Sequence, residues 1–566
     1  MAGLIDQLDA KIAEVLSGWS IYTTLIALLI TAFLVGAIVY AEEPDVHPML
    51  LARGSSASMV RQPGESAIYR SHDAPHGYPL RAGLQVKYPG APPYSGGKNG
   101  DLRDIWRRVT GELPLEQGAS AGQPGKIFTI LGKEQIVDNK ISDVTQEIIV
   151  IGSHLAHRGS RRVAVYLPNS IELLSTVFAG AFYGFTTILL PYNQPHAKVV
   201  ELLRQTNADA LVAQAGSLPL DELIKAGTDV TEVIWVAEKA SRHVGWGDVP
   251  ESIGKKLGVS VWHELVQENR NSTAELPPVE SGPKPGNIVA VWQGRTGAET
   301  EVVEFTQGNM VAAVAALMYA LPSTQRMNPS DLFLPVDSLT HTYTLALTLA
   351  ALFSHATVAI NSVAGPGVQI ALAARTIAPT IIVASAETAA KLHSETSTSV
   401  VGSMKKFAHA MQTKALDAGR MPVDSILTRL NAPAKANVGA TPGKLRLLFV
   451  SERAGADTPP LSSEELSDLR VFTGARVIYA LTAARVCGAV AQTDVYDYRR
   501  ELGTKQGHFG VPLSSVEVKL KDTGSHRTTD EKVEGSILVS GPAVAGGEAE
   551  LGIVAKFRDD NTLAYV

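Results

Sequence analysis

Short apolar runs alternate with longer amphipathic segments between residues 126 and 280. Runs of about four to six apolar residues between polar turns are typical of strands buried on both faces, and the segments between them have helical periodicity. Strands separated by helices in this way predict a parallel, doubly wound α/β sheet. Asn169 is predicted to cap the helix 170–183. The predicted strands of this first unit are 163–168, 187–191, 210–214 and 232–237.

A second unit, residues 281–500, repeats the same pattern. Residues 338–374 within it contain no Asp, Glu, Lys or Arg, which leaves open a second membrane span. The helical part, 345–356, is short for a span, so a helix buried between sheets is the favoured interpretation. The predicted strands of this unit are 288–292, 332–335, 358–361, 380–384, 445–450 and 476–480.

Residues 501–566 have a different pattern, in which apolar and polar residues alternate. The segments 516–520 and 536–540 are separated by a polar loop, and this arrangement predicts a solvated β-hairpin in a small antiparallel sheet or barrel. We therefore expect a β-rich subdomain at this end of the sequence.

The segment 21–41 contains no charged residue, and its length is that of a bilayer-spanning helix. Trp19, Tyr22 and Tyr40 lie near its ends, where interfacial aromatic residues are common. A cleaved signal peptide is the alternative, but the apolar run is too long for one. We predict a retained transmembrane helix, preceded by an amphipathic segment (1–20) and followed by an extended membrane-proximal segment (42–125). The flanking charges do not settle its orientation.

Composition excludes some classes of function. The net charge of −6 gives no basic face for nucleic acid, so no nucleic-acid partner is expected. Cys487 is the only cysteine, and the sequence therefore contains no intrachain disulfide. It is either a free nucleophile or a small buried apolar residue, and the second interpretation is favoured.

A Gly- and Thr-rich stretch follows the predicted strand 288–292 and precedes an apolar helical segment, 310–321. A strand, a glycine-rich loop and a helix N-terminus together present free backbone N–H groups to phosphate. The stretch lacks the Gly-Lys-Ser/Thr of a P-loop. Its glycines have a second interpretation, a tight turn required by the backbone.

This stretch resembles the signature of the adenylate-forming (acyl-CoA synthetase) superfamily, an aromatic-Thr-Ser-Gly-Thr-Thr-Gly-x-Pro-Lys-Gly run that ends in Thr-His-x-Asn. Weaker similarities follow at 339–343, 507–512 and 534–542, in the order of the family's motifs. The resemblance covers about residues 75–566 and is closest to eukaryotic long-chain acyl-CoA synthetases. The residues that match the signature are Gly294, Thr296, Gly297, Thr306 and Asn309.

The resemblance implies the large N-terminal lobe of the adenylate-forming fold: two doubly wound α/β units and a small antiparallel β-barrel. The family's C-terminal lobe is expected to be absent. His341 and Tyr343 fall at the family's acyl-pocket step, although a lone histidine on an apolar helix is also common as a satisfied core residue. The implied nucleotide-binding residues are Gly294, Thr296, Gly297, Tyr479 and Thr482.

The chain departs from the family where charge matters most. The family's lysine falls at Thr300 or Glu301, its Mg²⁺-binding glutamate is Ala483, and its ribose-binding aspartate is Ile553. Its adenine-lining loop corresponds to residues 452–455. The phosphate loop carries Glu299, Glu301 and Glu304, offset in part by Arg295, and a carboxylate about 4 Å from phosphate costs about 1–4 kcal/mol. No catalytic residue or metal ligand is therefore assigned.

Two functions follow from these observations. The first is an active, membrane-anchored fatty acid–CoA ligase that uses ATP, Mg²⁺ and CoA. The second, which is favoured, is a catalytically degenerate relative that needs no cofactor and binds a long-chain acyl group or acts as a scaffold for a protein in lipid metabolism. By resemblance, we expect a single-pass protein of the endoplasmic reticulum, lipid droplet or peroxisome with its body facing the cytosol.

Overall fold

The computed structural model describes residues 17–39, 43–88, 90–92, 94–113, 125–131, 135–237, 257–270, 272–294, 300–423, 436, 438–441, 443–500 and 506–566, with the backbone alone for 35–39. The chain divides into two compact units, residues 1–47 and 48–566.

The first unit contains helix α1 (Ile21–Val39), which has no acidic residue in its first turn and no basic residue in its last. Side chains from Ile21 to Leu34 are largely exposed. Among the residues that the structure describes, no helix is long and apolar enough to cross a membrane. The transmembrane span predicted over 21–41 is thus not confirmed. Most of the predicted amphipathic segment 1–20 lies outside the described residues.

The second unit contains the other helices that the structure describes. In chain order they are α2 (Pro48–Leu51), α3 (Leu102–Val109), α4 (Ile141–His157), α5 (Ile171–Tyr183), α6 (His196–Gln205), α7 (Leu220–Lys225), α8 (Trp262–Glu268), α9 (Gln307–Tyr319), α10 (Thr342–Phe353), α11 (Ile370–Ala373), α12 (Ala386–Ser397), α13 (Ser403–Asp417) and α14 (Ser463–Thr473).

The strands of the second unit form three sheets. In chain order they are β1 (Ser55–Ala57), β2 (Tyr69–Ser71), β3 (Ile127–Leu131), β4 (Gln135–Asn139), β5 (Arg162–Tyr166), β6 (Thr186–Leu189), β7 (Ala210–Gln214), β8 (Glu232–Val236), β9 (Gly258–Val261), β10 (Ile288–Trp292), β11 (Glu301–Phe305), β12 (Leu332–Pro335), β13 (Thr357–Asn361), β14 (Ile381–Ser385), β15 (Leu447–Arg453), β16 (Arg476–Thr482), β17 (Ala491–Gln492), β18 (Val511–Pro512), β19 (Glu517–Lys521), β20 (Glu534–Ser540), β21 (Glu548–Phe557) and β22 (Leu563–Tyr565).

A seven-stranded sheet has the order β11-β10-β6-β5-β7-β8-β9. All its neighbours are parallel except β10 and β11, which form an antiparallel pair. The prediction that 288–292 belongs to the second unit is wrong, because Ile288 pairs with Thr187 of β6. The sequence pattern identifies a buried strand but does not specify its neighbour.

A nine-stranded sheet has the order β18-β17-β16-β15-β14-β12-β13-β3-β4. Its strands from β16 to β3 are parallel, and β4, β17 and β18 add antiparallel edges. Helix α10 lies in the core beside this sheet, and each of its 12 residues is buried. The prediction of a buried helix in the uncharged segment is therefore confirmed.

A six-stranded antiparallel sheet has the order β1-β2-β19-β20-β21-β22. The predicted hairpin is confirmed, because Val518 of β19 pairs with Val539 of β20. Strands β1 and β2 come from the segment predicted to be extended, and Tyr69 of β2 pairs with Val518. This sheet therefore joins both ends of the second unit.

The N-cap of α5 differs from the prediction. Ser170 caps the helix by accepting a hydrogen bond from the Leu173 N–H, and Asn169 does not. The Asn169 amide instead donates to the Asp337 carbonyl and accepts from the Leu339 N–H. Asn169 thus fixes the turn that follows β12, at the end of the nine-stranded sheet where its parallel strands end.

Candidate functional site

Polar residues collect at the carboxyl edge of the nine-stranded sheet. Asp337 follows β12, Arg453 ends β15 and Thr482 ends β16. The carboxyl ends of parallel strands meet at one edge, and ligands of open α/β sheets bind in the crevice outside it. The predicted residues His341 and Thr482 lie at this edge, and Tyr479 lies within β16, three residues before Thr482.

An ion pair occupies the centre of the edge, between the fully buried Asp337 and the largely buried Arg453, whose side chain is 16% exposed. Arg453 Nη2 lies 2.8 Å from Asp337 Oδ1 and 3.0 Å from Oδ2, and the Ser338 N–H donates to Oδ1 at 2.8 Å. Burial alone raises the pKa of Asp337, but Arg453 and then His341 outweigh it and lower the pKa below its ordinary value. Asp337 is therefore an ionised carboxylate that is neutralised by a residue of the protein itself.

His341 is the N-cap of α10 and is buried against the same ion pair. Its Nε2 lies 3.5 Å from Thr482 Oγ1, and its ring centroid lies 5.4 Å from that of Trp292. Its Nδ1 is 3.8 Å from Asp337 Oδ2, too far for a hydrogen bond. Burial, followed by the charge of Arg453, lowers the pKa of His341 to about 3, although Asp337 opposes the shift. The imidazole is therefore neutral at physiological pH.

Tyr479 and Glu452 form a second buried pair. The Tyr479 hydroxyl donates to Glu452 Oε2 at 2.7 Å and accepts from the Leu461 N–H at 3.0 Å. Burial raises the pKa of Glu452 to about 7, against the opposing effects of Tyr479 and Arg453. The Thr482 hydroxyl donates to the Glu452 carbonyl oxygen at 2.8 Å. The hydrogen-bonding groups of Tyr479 and Thr482 are thus engaged within the protein.

The described ends of the Gly- and Thr-rich stretch make structural contacts. Gly294 follows β10, whereas Thr296 and Gly297 lie outside the described residues. Thr306 and Asn309 form a capping box at the start of α9. The Asn309 amide also donates to the carbonyls of Pro542 at 2.7 Å and Val544 at 3.1 Å. The match at Thr306 and Asn309 therefore has a structural role at this helix N-terminus.

The two glutamates on β11 are paired with arginines. Arg485 Nε lies 2.6 Å from Glu301 Oε1, and Arg162 Nη1 lies 3.3 Å from Glu304 Oε2. These contacts neutralise part of the negative charge expected around the loop. Because Arg485 and Arg162 are paired with these glutamates, their positive charges do not offset the negative charge of a bound phosphate.

Buried polar atoms without a hydrogen-bond partner occur both at the acyl-side residues and at the ion pair. In the described part of the chain they include the Tyr343 hydroxyl, His341 Nδ1 and Arg453 Nε. Tyr343 is fully buried, and burial raises the pKa of its phenol. A buried polar group without a partner is costly, so such atoms mark places where a water or a ligand group can bind.

Apolar residues occupy two positions at which the resemblance implies contacts with Mg²⁺ and nucleotide. The position of the family's metal-binding glutamate holds Ala483, which is buried, and Ile553 packs against the apolar core. Among the described residues, no group of three or more His, Cys, Asp and Glu side chains is arranged to hold a metal ion. Arg453, the cation at the centre of the edge, is bound to Asp337.

Sequence reasoning missed Asp337, and it assigned Asn169 to a helix cap rather than to the turn after β12. Asp337 is the last charged residue before the uncharged segment 338–374 and directly follows a buried strand, which is a recognisable signal. Its partner Arg453 is 116 residues away in the chain, and no local pattern connects the two.

Comparison with known proteins identifies the fold. The family described as "AMP-binding enzyme" matches residues 142–547. A long-chain-fatty-acid-CoA ligase from Archaeoglobus fulgidus is similar in structure, with a TM-score of 0.55, 13% identity, and coverage of 86% of this chain and 86% of that chain. An anthranilate CoA ligase in complex with anthranoyl-AMP has a TM-score of 0.56 and 14% identity, with 82% and 77% covered. A benzoate CoA ligase from Burkholderia xenovorans has a TM-score of 0.54 and 13% identity, with 82% and 79% covered.

Proposed function

We propose a function for this chain on the premise that it belongs to the AMP-binding enzyme family, whose match spans residues 142–547. The protein is a catalytically degenerate relative of the long-chain acyl-CoA ligases that binds a long-chain acyl group in lipid metabolism. It does not join that group to CoA. The alternative is an active ligase that uses ATP, Mg²⁺ and CoA.

The observation that carries this proposal is the buried Asp337–Arg453 pair at the carboxyl edge. Transfer of acyl groups through an adenylate depends on preorganised charges around the phosphates. Here the central arginine neutralises a carboxylate of the protein, and Ala483 supplies no metal ligand. The retained Thr482 hydroxyl donates to the Glu452 carbonyl. These contacts favour loss of nucleotide chemistry.

The acyl side supports retained binding. An acyl pocket needs apolar walls and a few polar groups that fix the ligand's orientation. The apolar helix α10 meets the first requirement, and the unpartnered hydroxyl of Tyr343 and Nδ1 of His341 meet the second. The proposed ligand therefore places its polar end near the start of α10 and its chain along apolar side chains.

The test compares turnover with binding in the purified full-length protein. We expect no pyrophosphate release and no acyl-CoA with ATP, Mg²⁺, CoA and a panel of fatty acids, beyond a heat-inactivated control. We expect a fluorescent long-chain fatty acid to bind in parallel. ATP-dependent thioester formation well above that control contradicts the proposal and supports the active ligase, and absence of both activities leaves only the scaffolding role.

We also propose that α1 attaches the protein to a membrane of the endoplasmic reticulum, lipid droplet or peroxisome, with the body in the cytosol. The apolar sequence of Ile21–Val39 and the exposed side chains between Ile21 and Leu34 support attachment. Carbonate extraction should leave the full-length protein in the pellet and release a variant that begins at Pro44. Protease protection of the body in sealed microsomes contradicts the orientation.

A further inference from the structure

Helix α13 (Ser403–Asp417) presents an apolar row to solvent. Met404 is 58% exposed, Phe407 65% and Met411 50%. Residues three, four and seven apart share one face of a helix, so these side chains form a continuous strip. The opposite face is buried through Ala408, Gln412, Thr413 and Leu416. The row is therefore additional to the face that packs on the protein.

The charges of α13 are positive toward solvent. Lys406 and Lys414 are exposed beside the apolar row, and the half-buried Lys405 donates to the Ser399 carbonyl. The helix has one acidic residue, Asp417, whose two oxygens lie 2.7 and 2.6 Å from Arg500. Its charge is therefore compensated.

Two acids of the packed helix α14, Asp468 and Glu465, lie in its contact with α12 and α13. Asp468 contacts His409 of α13 at 2.9 Å and His393 of α12 at 3.0 Å, and Glu465 lies 3.9 Å from His393. These carboxylates are paired within the three-helix contact. The outward face of α13 consequently combines an apolar row with Lys406 and Lys414, for which the described residues provide no ion-pair partner.

We propose that this face of α13 binds the surface of an anionic lipid bilayer. Helices that lie in the membrane interface carry large apolar side chains on one face and lysines beside them, which contact anionic headgroups. A protein interface is the less favoured occupant, because lysines are depleted in interface cores and Tyr, Trp and Arg are enriched. Met404, Phe407 and Met411 enter the headgroup region, and Lys406 and Lys414 contact lipid phosphate or carboxylate groups.

Cysteine labelling tests this contact in the full-length protein. Cys487 is fully buried, so a cysteine introduced by Met411→Cys is the accessible thiol. It is labelled with a polarity-sensitive fluorophore, and the protein is reconstituted into phosphatidylcholine–phosphatidylserine vesicles that contain spin-labelled lipid. The matched control is Met59→Cys, at another exposed methionine on the segment between β1 and β2. We expect a blue shift and roughly two- to threefold stronger quenching at position 411 than at 59.

Charge reversal of the lysines supplies the second arm. Lys406→Glu combined with Lys414→Glu should lower the quenching at position 411 to the level at position 59. Equal quenching at both positions in the parent protein overturns the proposal, as does quenching that is unchanged in vesicles of phosphatidylcholine alone. A blue shift in detergent that grows with protein concentration also overturns it and indicates a second copy on this face. The readout involves neither turnover nor fatty-acid binding, so its failure is distinct from failure of the proposed function.

Discussion

Replacing Arg453 with methionine removes the partner of a carboxylate that has no access to solvent. Asp337 then still accepts a hydrogen bond from the Ser338 N–H at 2.8 Å. Its other hydrogen bonds, from the hydroxyls of Ser451 and Thr344, are long, at 3.4 and 3.5 Å. Breaking a buried ion pair by removing one partner costs about 3–5 kcal/mol, because the other charge stays buried. We expect the free energy of unfolding to fall by about this amount.

Urea unfolding at neutral pH measures the effect, with Arg485→Met as the matched control. The Arg485–Glu301 pair is as short, at 2.6 Å, but its side chains are 56% and 39% exposed. Exposed pairs contribute about 0–1 kcal/mol, so the control should shift the unfolding midpoint little. Combining Arg453→Met with Asp337→Asn should recover most of the loss, because no charge remains buried.

The pH dependence gives a further check. The pKa of Asp337 is lowered in the folded protein, so its stabilising contribution is present above the ordinary aspartate pKa and is lost as the pH falls below it. The difference in free energy of unfolding between the parent protein and Arg453→Met should therefore become smaller below about pH 4. A difference under about 1 kcal/mol at neutral pH refutes the assignment of Asp337–Arg453 as a buried structural pair.

Three further predictions concern single side chains. Glu452 has a pKa raised from 4.5 to about 7, so it binds more protons in the folded protein than in the unfolded one, and the free energy of unfolding should fall as the pH rises between these values. Glu452→Gln should remove this pH dependence, which amounts to on the order of 2–3 kcal/mol. Urea titrations at several pH values measure it. Tyr343→Phe should leave stability unchanged or slightly raised but should weaken fatty-acid binding about three- to tenfold, as measured by fluorescence titration. The control Tyr183→Phe loses a hydrogen bond with Ser153 and should leave the fatty-acid affinity unchanged. Burial raises the pKa of the Cys487 thiol, so a thiol reagent should modify it only in denaturant, and rapid reaction of the native protein contradicts its burial.

The sequence predicted the architecture well wherever burial produces a local pattern. The parallel strands are continuous apolar runs, and the uncharged segment around α10 has no polar face, so both were recognisable. The sheet to which β10 belongs was mispredicted, because strand pairing depends on residues about 100 positions away, as in Ile288 and Thr187. The cap of α5 was misassigned because Asn169 and Ser170 are both good cap residues, and only the contact with Asp337 separates them.

The candidate site was predicted in part. His341, Tyr479 and Thr482 were named from motif positions; His341 and Thr482 lie at one sheet edge, and Tyr479 lies inside β16. The ion pair that determines the electrostatics of this edge was not identified, because Asp337 follows β12 whereas Arg453 ends β15, 116 residues later. Asp337 and Arg453 meet only in the folded sheet. From the sequence position of either residue alone, one cannot tell whether its charge binds a ligand or another residue of the protein.

The pairing of β2 with β19 also has a consequence for synthesis of the chain. Arg70 on β2 contacts Glu517 on β19, 447 residues later. At a translation rate of about 5–20 residues per second, β2 waits roughly 20–90 s before its partner leaves the ribosome. During that interval the β1–β2 hairpin exposes an unpaired strand edge, with which strands of other chains can pair. A chaperone that shields residues 55–71 on the nascent chain would therefore act early, before the strands of the seven-stranded and nine-stranded sheets have been synthesised.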